Sequence, residues 1–249
     1  MIEQNNNRGF FAIQQEVNEV NSAAIAKTFI SQVFLWMTLA MVITAATAFY
    51  FASSPDLFAS MRNPVTGGLN LLGWIVTLAP FGFVLLMSLG FQKLSPAIMA
   101  LSFIAFSILI GMSLSFVLVV FTLPSVFKTF IVTAGMFGVM AVLGFTTKTD
   151  LTRFGSIMMM GLIGIIIASF VNFFMHSGTM EYIISILGVL IFTGLTAYDV
   201  QKLKRIGAGI GPDMADGTTR KLSILGALTL YLDFINLFLF LLRFLGDRK

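Results

Sequence analysis

The chain has 249 residues, of which 57% are hydrophobic and 10% charged, with a formal charge of +4 and a mean hydropathy of +0.95. Soluble domains carry about 25% charged residues, so this composition cannot cover a water-facing surface and is that of a polytopic membrane protein with one bundled domain. With no cysteine and a single histidine, His176, disulfides, thiolate metal sites and multi-histidine metal sites are excluded. The positive charge lies at helix ends and reads as topology, not as affinity for nucleic acid.

Residues 1–25 are mostly polar, with Asn5, Asn6 and Asn7 in a row, and lack the basic start and short apolar run of a cleaved signal peptide. They are expected to form a cytoplasmic tail, with a short surface helix over Ile13–Val20. Residues 26–249 are expected to form a single seven-helix, all-α membrane domain. Apolar runs predict spans at Thr28–Phe51, Leu71–Phe91, Ala97–Phe121, Val126–Phe145, Phe154–Phe174, Glu181–Tyr198 and Leu222–Leu242. The breaks between them have causes. Pro55 and Pro64 punctuate the first loop, Ser95-Pro96 starts the third span and Pro124-Ser125 the fourth. Lys148, Asp150 and Arg153 mark the next connection, and Ser177-Gly178 the one after it. The polar loop Gln201–Lys221 holds Gly207, Gly209, Gly211 and Pro212.

Basic residues set the orientation. With the N-terminus cytoplasmic, that side holds Arg8, Lys27, Lys93, Lys148, Arg153, Lys202, Lys204, Arg205, Arg220 and Lys221, against Arg62 and Lys128 opposite. Arg243, Arg248 and Lys249 fit this poorly, because a full last span puts them outside. The run has no helix breaker between Gly226 and Gly246, so a crossing is the reading preferred over a re-entrant segment.

Small residues recur at helix-contact spacing: Gly135 and Gly138, Gly161 and Gly164, Gly188 and Gly194. In a membrane such residues let backbones approach, and packing is the plain reading. Met158–Met160 read as filler or lipid-facing. Neither a phosphate-binding loop nor a TVGYG-like filter is present.

Eleven acidic residues remain to be placed. Glu3, Glu16, Glu19, Asp56, Asp213, Asp216 and Asp247 fall in tails or loops, Asp150 at a helix start, and Glu181 at the outer face. Two stand apart. Asp233 lies well inside the last span, where a charge costs roughly 2.5–3.5 kcal/mol on insertion scales, so it needs a partner or a use. Asp199 closes the sixth span; taken alone it reads as an interfacial carboxylate paired with Lys202. Asn236 follows Asp233 by three residues and shares its helix face. Asn172 could extend the same polar seam, as along a hydrated cation or proton path. If the two aspartates meet, a desolvated and mutually repelling pair is expected to hold one proton between them. Loss of that proton leaves two carboxylates that attract a divalent cation, of which Ca²⁺ suits oxygen ligands best. Depth opposes the meeting: Asp233 lies 11 residues, roughly 16 Å, beyond Leu222, whereas Asp199 lies only three before Lys202. They meet only if the sixth helix runs on past the membrane or the seventh starts earlier.

The strings Leu195-Thr196-Ala197-Tyr198-Asp199-Val200-Gln201-Lys202-Leu203-Lys204 and Leu228-Thr229-Leu230-Tyr231-Leu232-Asp233-Phe234-Ile235-Asn236-Leu237-Phe238 resemble the two signature segments of the Bax inhibitor family (transmembrane Bax inhibitor motif proteins). Gly144-Phe145-Thr146-Thr147-Lys148-Thr149-Asp150-Leu151 resembles its bacterial inner-membrane branch. The likeness covers about Ala26 to Gly246. It implies a seven-helix bundle with the last helix central, and a pH-sensitive Ca²⁺ leak in which a pair of aspartates, here Asp199 and Asp233, senses protons and transiently meets Ca²⁺. The family's sensor also uses an arginine at the end of the second helix. Lys93 stands at that place, keeping the charge but losing the planar fork, as a possible latch to Asp199.

The resemblance also offers a rival function, since some bacterial relatives resemble non-conducting modulators of a membrane-bound protease. The polar N-terminal tail is the feature that favours this reading. A proton-coupled transporter lacks support, because no inverted repeat or broken-helix pair is apparent. An enzyme is the least favoured class. An intramembrane aspartyl protease would resemble Tyr198-Asp199, but its second aspartate should follow glycine, and Asp233 follows Leu232. No cofactor is expected. The partners expected are the bilayer, Ca²⁺ and protons, with a membrane protease under the rival reading.

Overall fold

In the computed structural model, residues 2–64, 66–211, 214 and 216–249 are described, with side chains from residue 24 onward. They form helices α1 (Ile2–Ser53), α2 (Pro55–Ala59), α3 (Leu71–Leu89), α4 (Pro96–Val120), α5 (Leu123–Thr146), α6 (Thr152–Met175), α7 (Gly178–Ala208) and α8 (Asp216–Leu245). Seven are long and apolar enough to cross a bilayer, the first of them over Ala24–Ser53 of α1. This is an all-α membrane protein. The side chains of residues 1–23, and with them most of the polar tail, lie outside the described residues.

The helix starts follow the sequence signals. Ser95 Oγ accepts from Ile98 N–H with Pro96 just inside α4, and Ser177 Oγ accepts from Met180 N–H at the start of α7. Asn70 caps α3 by accepting from Gly73 N–H. The turn from α6 to α7 is made at His176, whose φ of 52° places it in the left-handed region.

Burial sorts the helices. In the most apolar window of α8, 67% of residues are buried, against 6% in α6, so α8 is the core and α6 a peripheral helix. Helix α8 packs against α1, α4, α5 and α7, while α6 packs on α7 and α3 on α4. Large side chains of α8, including Leu230, Tyr231, Leu237 and Leu242, are shut off from the surface. On the outer helices, Leu71, Phe81, Ile167, Phe170 and Phe173 stand exposed, which in a bilayer is contact with acyl chains.

Helix α8 runs unbroken to Leu245, and its end is strapped to the α4–α5 connection. Thr122 N–H donates to Asp247 O, Asp247 N–H to Ser125 Oγ, and Lys249 N–H to Val120 O. The last span is therefore one continuous helix and not a re-entrant pair, and its basic end has partners. The Arg248 guanidinium lies over the Phe121 ring and 3.5 Å from Glu181, and Arg243 lies over Phe240.

Of the glycines read as contact points, Gly188 abuts Phe240, Gly194 abuts Met158 and Phe154, and Gly161 abuts Ile191. Gly135, Gly138 and Gly164 face open space and pack against no helix. The closest backbone approach is at Gly144 instead, where a Cβ would run into the carbonyl of Ala197 on α7.

Candidate functional site

Asp199 and Asp233 come together. Both spans are longer than their apolar cores: α7 has 31 residues and runs nine past Asp199, and α8 has 30 and begins six before Leu222. This removes the mismatch in depth. The two carboxyls are close enough to act on one another, at 7% and 5% exposure. Both groups are acceptors when ionised, so a bond between them requires one proton. Consistent with that, Asp233 Oδ2 is enclosed and receives no hydrogen bond from a protein donor. Lys202, exposed one turn further on, is the cation whose field reaches Asp199.

The other candidate residues are placed differently. Asn236 is half-buried and its amide donates to Leu232 O 2.8 Å away, within its own helix. Asn172 does not extend the seam. Its Oδ1 accepts from Ser177 N–H in the α6–α7 turn, and Asp199 lies 21 residues along α7 from Gly178, about 30 Å away. Lys93 is exposed in the turn after α3, its N–H bonded to Gly90 O, and the ion pairs among the described residues do not join it to Asp199. No cluster of three or more His, Cys, Asp or Glu occurs among the described residues. Two carboxylates fall short of the six to eight oxygens of a resident Ca²⁺.

Sequence reasoning missed two sets of contacts around the pair. One pins the α5–α6 connection to α7 just past Asp199. Gln201 donates from Nε2 to Thr149 O and accepts at Oε1 from Leu151 N–H, both at 2.8 Å. Arg205 donates to Asp150 Oδ1, to Gln201 Oε1 and to Thr152 Oγ1. Lys204 Nζ donates to Phe145 O across the Phe145 ring. Beside Arg205, with the Thr152 hydroxyl and N–H adding, the exposed Asp150 carboxyl is held well below the ordinary carboxylate range. Two of the strings read as family-like, Gly144–Leu151 and Leu195–Lys204, are thus the two faces of one contact. The spacing of Gln201 and Arg205, four apart on one helix face, was the available signal.

The second set lies on the other side of Asp233. Tyr231 Oη, fully buried, is 2.7 Å from Thr44 Oγ1, which donates to Ser107 O at 2.9 Å. Rings of Phe103 and Phe106 meet Tyr231 edge-on. This ties α8 to α1 and α4. A lone tyrosine in an apolar run carries no sequence mark of its partner.

Comparison with known proteins agrees with the architecture. A family model described as "Inhibitor of apoptosis-promoting Bax1" matches residues 26–249. The inner membrane protein YbhL of Escherichia coli K12 is 46% identical over 231 residues, covering 92% of this chain and 96% of the relative. An uncharacterized protein of Borreliella burgdorferi is 40% identical over 95% of this chain and 98% of its own length. One of Caulobacter vibrioides is 37% identical over 98% of each.

Proposed function

The chain belongs to the Bax inhibitor family, and from that premise we propose that it is a passive, pH-gated Ca²⁺ leak of a bacterial inner membrane, with its N-terminus cytoplasmic. Asp199 and Asp233 are the proton sensor. The observation that supports this reading is the meeting of two secluded carboxyls from different helices, one on the central helix α8. With one proton between them they form a bond that holds α7 to α8. Without it, two like charges in a low-dielectric bundle repel, and separation of α7 from α8 opens a path past Asp233 that favours a divalent cation. Flux therefore rises with pH.

The inner-membrane location rests on the relative of that name and on the seven spans. The cytoplasmic N-terminus rests on the excess of lysine and arginine at one end of the bundle. The test is reconstitution of the protein into liposomes loaded with a Ca²⁺ dye. A pH-dependent flux above that of protein-free vesicles is expected; flux equal to theirs at every pH refutes the proposal.

A further inference from the structure

We infer that a groove between α1 and α5 is a binding site for one acyl chain of a bilayer phospholipid. The groove has a volume of about 520 Å³ and lies in the half of the bundle that holds the α4–α5 connection and the C-terminal strap. Its walls are the later turns of α1 and α4 and the first turns of α5. Its floor is α8, at Phe234, Ile235 and Phe238.

The occupant follows from what the groove touches. Helix α1 packs on α4 and α8, and α5 on α7 and α8. The lips between α1 and α5, Phe49 and Phe127, are 59% and 68% exposed. They belong to the apolar belt that faces the bilayer, so the groove is a side branch of the lipid phase. Ordered water does not suit it, because such a water needs two to four polar partners. The one polar side chain in the lining, Thr44, already spends its hydroxyl on Ser107 and Tyr231. At about 30 Å³ for each non-hydrogen atom, the share a water takes in the liquid, the space holds on the order of fifteen to twenty atoms. That is one fatty chain. Lys249 Nζ, 2.8 Å from the carbonyl of the lining residue Leu118, sets a cation at the rim for a phosphate headgroup. Binding comes from packing, since the chain leaves one apolar medium for another.

The site matters because of its floor. Phe234 and Ile235 directly follow Asp233, and Thr44 is the partner of Tyr231. Phe234, Ile235 and Phe238 are buried among the helices, and the groove is the way by which a lipid reaches them.

The test uses the full chain in vesicles containing phosphatidylglycerol with a photoreactive diazirine midway along one acyl chain, followed by peptide mapping. Lipid adducts are expected on Phe234–Phe238 of α8 as well as on the lipid-exposed α6. Ala45→Phe, a change at an exposed groove residue, is expected to lower the α8 adducts by an order of magnitude relative to those on α6. Adducts confined to the outer helices in the unaltered protein overturn the inference, whatever becomes of the variant. So do α8 adducts that a folded Ala45→Phe leaves unchanged, or a protein–protein crosslink at Phe127 in place of lipid.

Discussion

The Tyr231 hydroxyl lies 2.7 Å from Thr44 Oγ1, and Thr44 in turn donates to Ser107 O, so the tyrosine is the donor of the pair. Two residues before Asp233, it joins the central helix to α1 and α4. The two ends of the bond are not equivalent. Tyr231→Phe removes one hydrogen bond and leaves Thr44 satisfied by Ser107, at a cost of about 0.5–1.5 kcal/mol. Thr44→Val keeps the shape but strands a buried tyrosine hydroxyl, at a cost of about 1–3 kcal/mol. Denaturation in detergent micelles is expected to rank Thr44→Val below Tyr231→Phe in stability. The reverse order contradicts the assigned direction of the bond.

Gly144 on α5 lies where a Cβ would meet the Ala197 carbonyl, two residues before Asp199, while Gly135 and Gly138 on the same helix face open space. Gly144→Ala must push α5 off α7, and overpacking of this kind costs about 1–3 kcal/mol. Gly135→Ala and Gly138→Ala meet nothing and trade glycine for a better helix former. Stability measurements on the three variants should show loss at Gly144 alone; equal losses at all three would mean that the α5–α7 contact is not the cause.

The Asp150–Arg205 tie should be indifferent to pH in the neutral range. The folded carboxyl titrates well below its ordinary value of 3.8, so its stabilising effect is full above that value and is lost only as pH falls through the lower folded value. Hydrogen exchange across residues 147–152 is accordingly expected to show no loosening of the α5–α6 connection between pH 8 and pH 5, apart from the intrinsic change in exchange rate. Arg205→Gln should loosen it at both. A loosening of the unaltered protein within that window contradicts the tie.

Seven candidate spans were legible because long apolar runs leave few alternatives, and the central place of α8 came from the family resemblance. The lengths of α7 and α8 were not legible. Lys204 and Lys221 read as loop, yet each sits on a helix and sends its ammonium to a backbone carbonyl, of Phe145 and of Phe91. A span read from hydropathy stops at the first charges, whereas a helix stops where its hydrogen bonds do. That difference created the mismatch in depth between Asp199 and Asp233. Burial cost on its own pointed to a partner for Asp233, and the partner's identity came from the resemblance. Asn172 was misread because a polar residue near a helix end satisfies a turn as readily as it lines a core.

A leak and a protease regulator make different use of the N-terminal residues. Deleting residues 2–20 should leave Ca²⁺ flux in liposomes intact, because the first long apolar run begins later in the chain, at about Thr28. Loss of a protease partner in a pulldown, with flux through the unaltered protein no greater than in protein-free vesicles, favours the regulator.

The proposed sharing of a proton by Asp199 and Asp233 is tested most directly by the pH profile of Ca²⁺ flux for Asp233→Asn beside the unaltered protein. Asparagine supplies a permanent donor to Asp199 and removes the charge that drives the helices apart. Flux through the variant is predicted to be low and flat across the pH range in which flux through the unaltered protein climbs. A variant whose flux keeps the same rise with pH contradicts the proton-sensing pair.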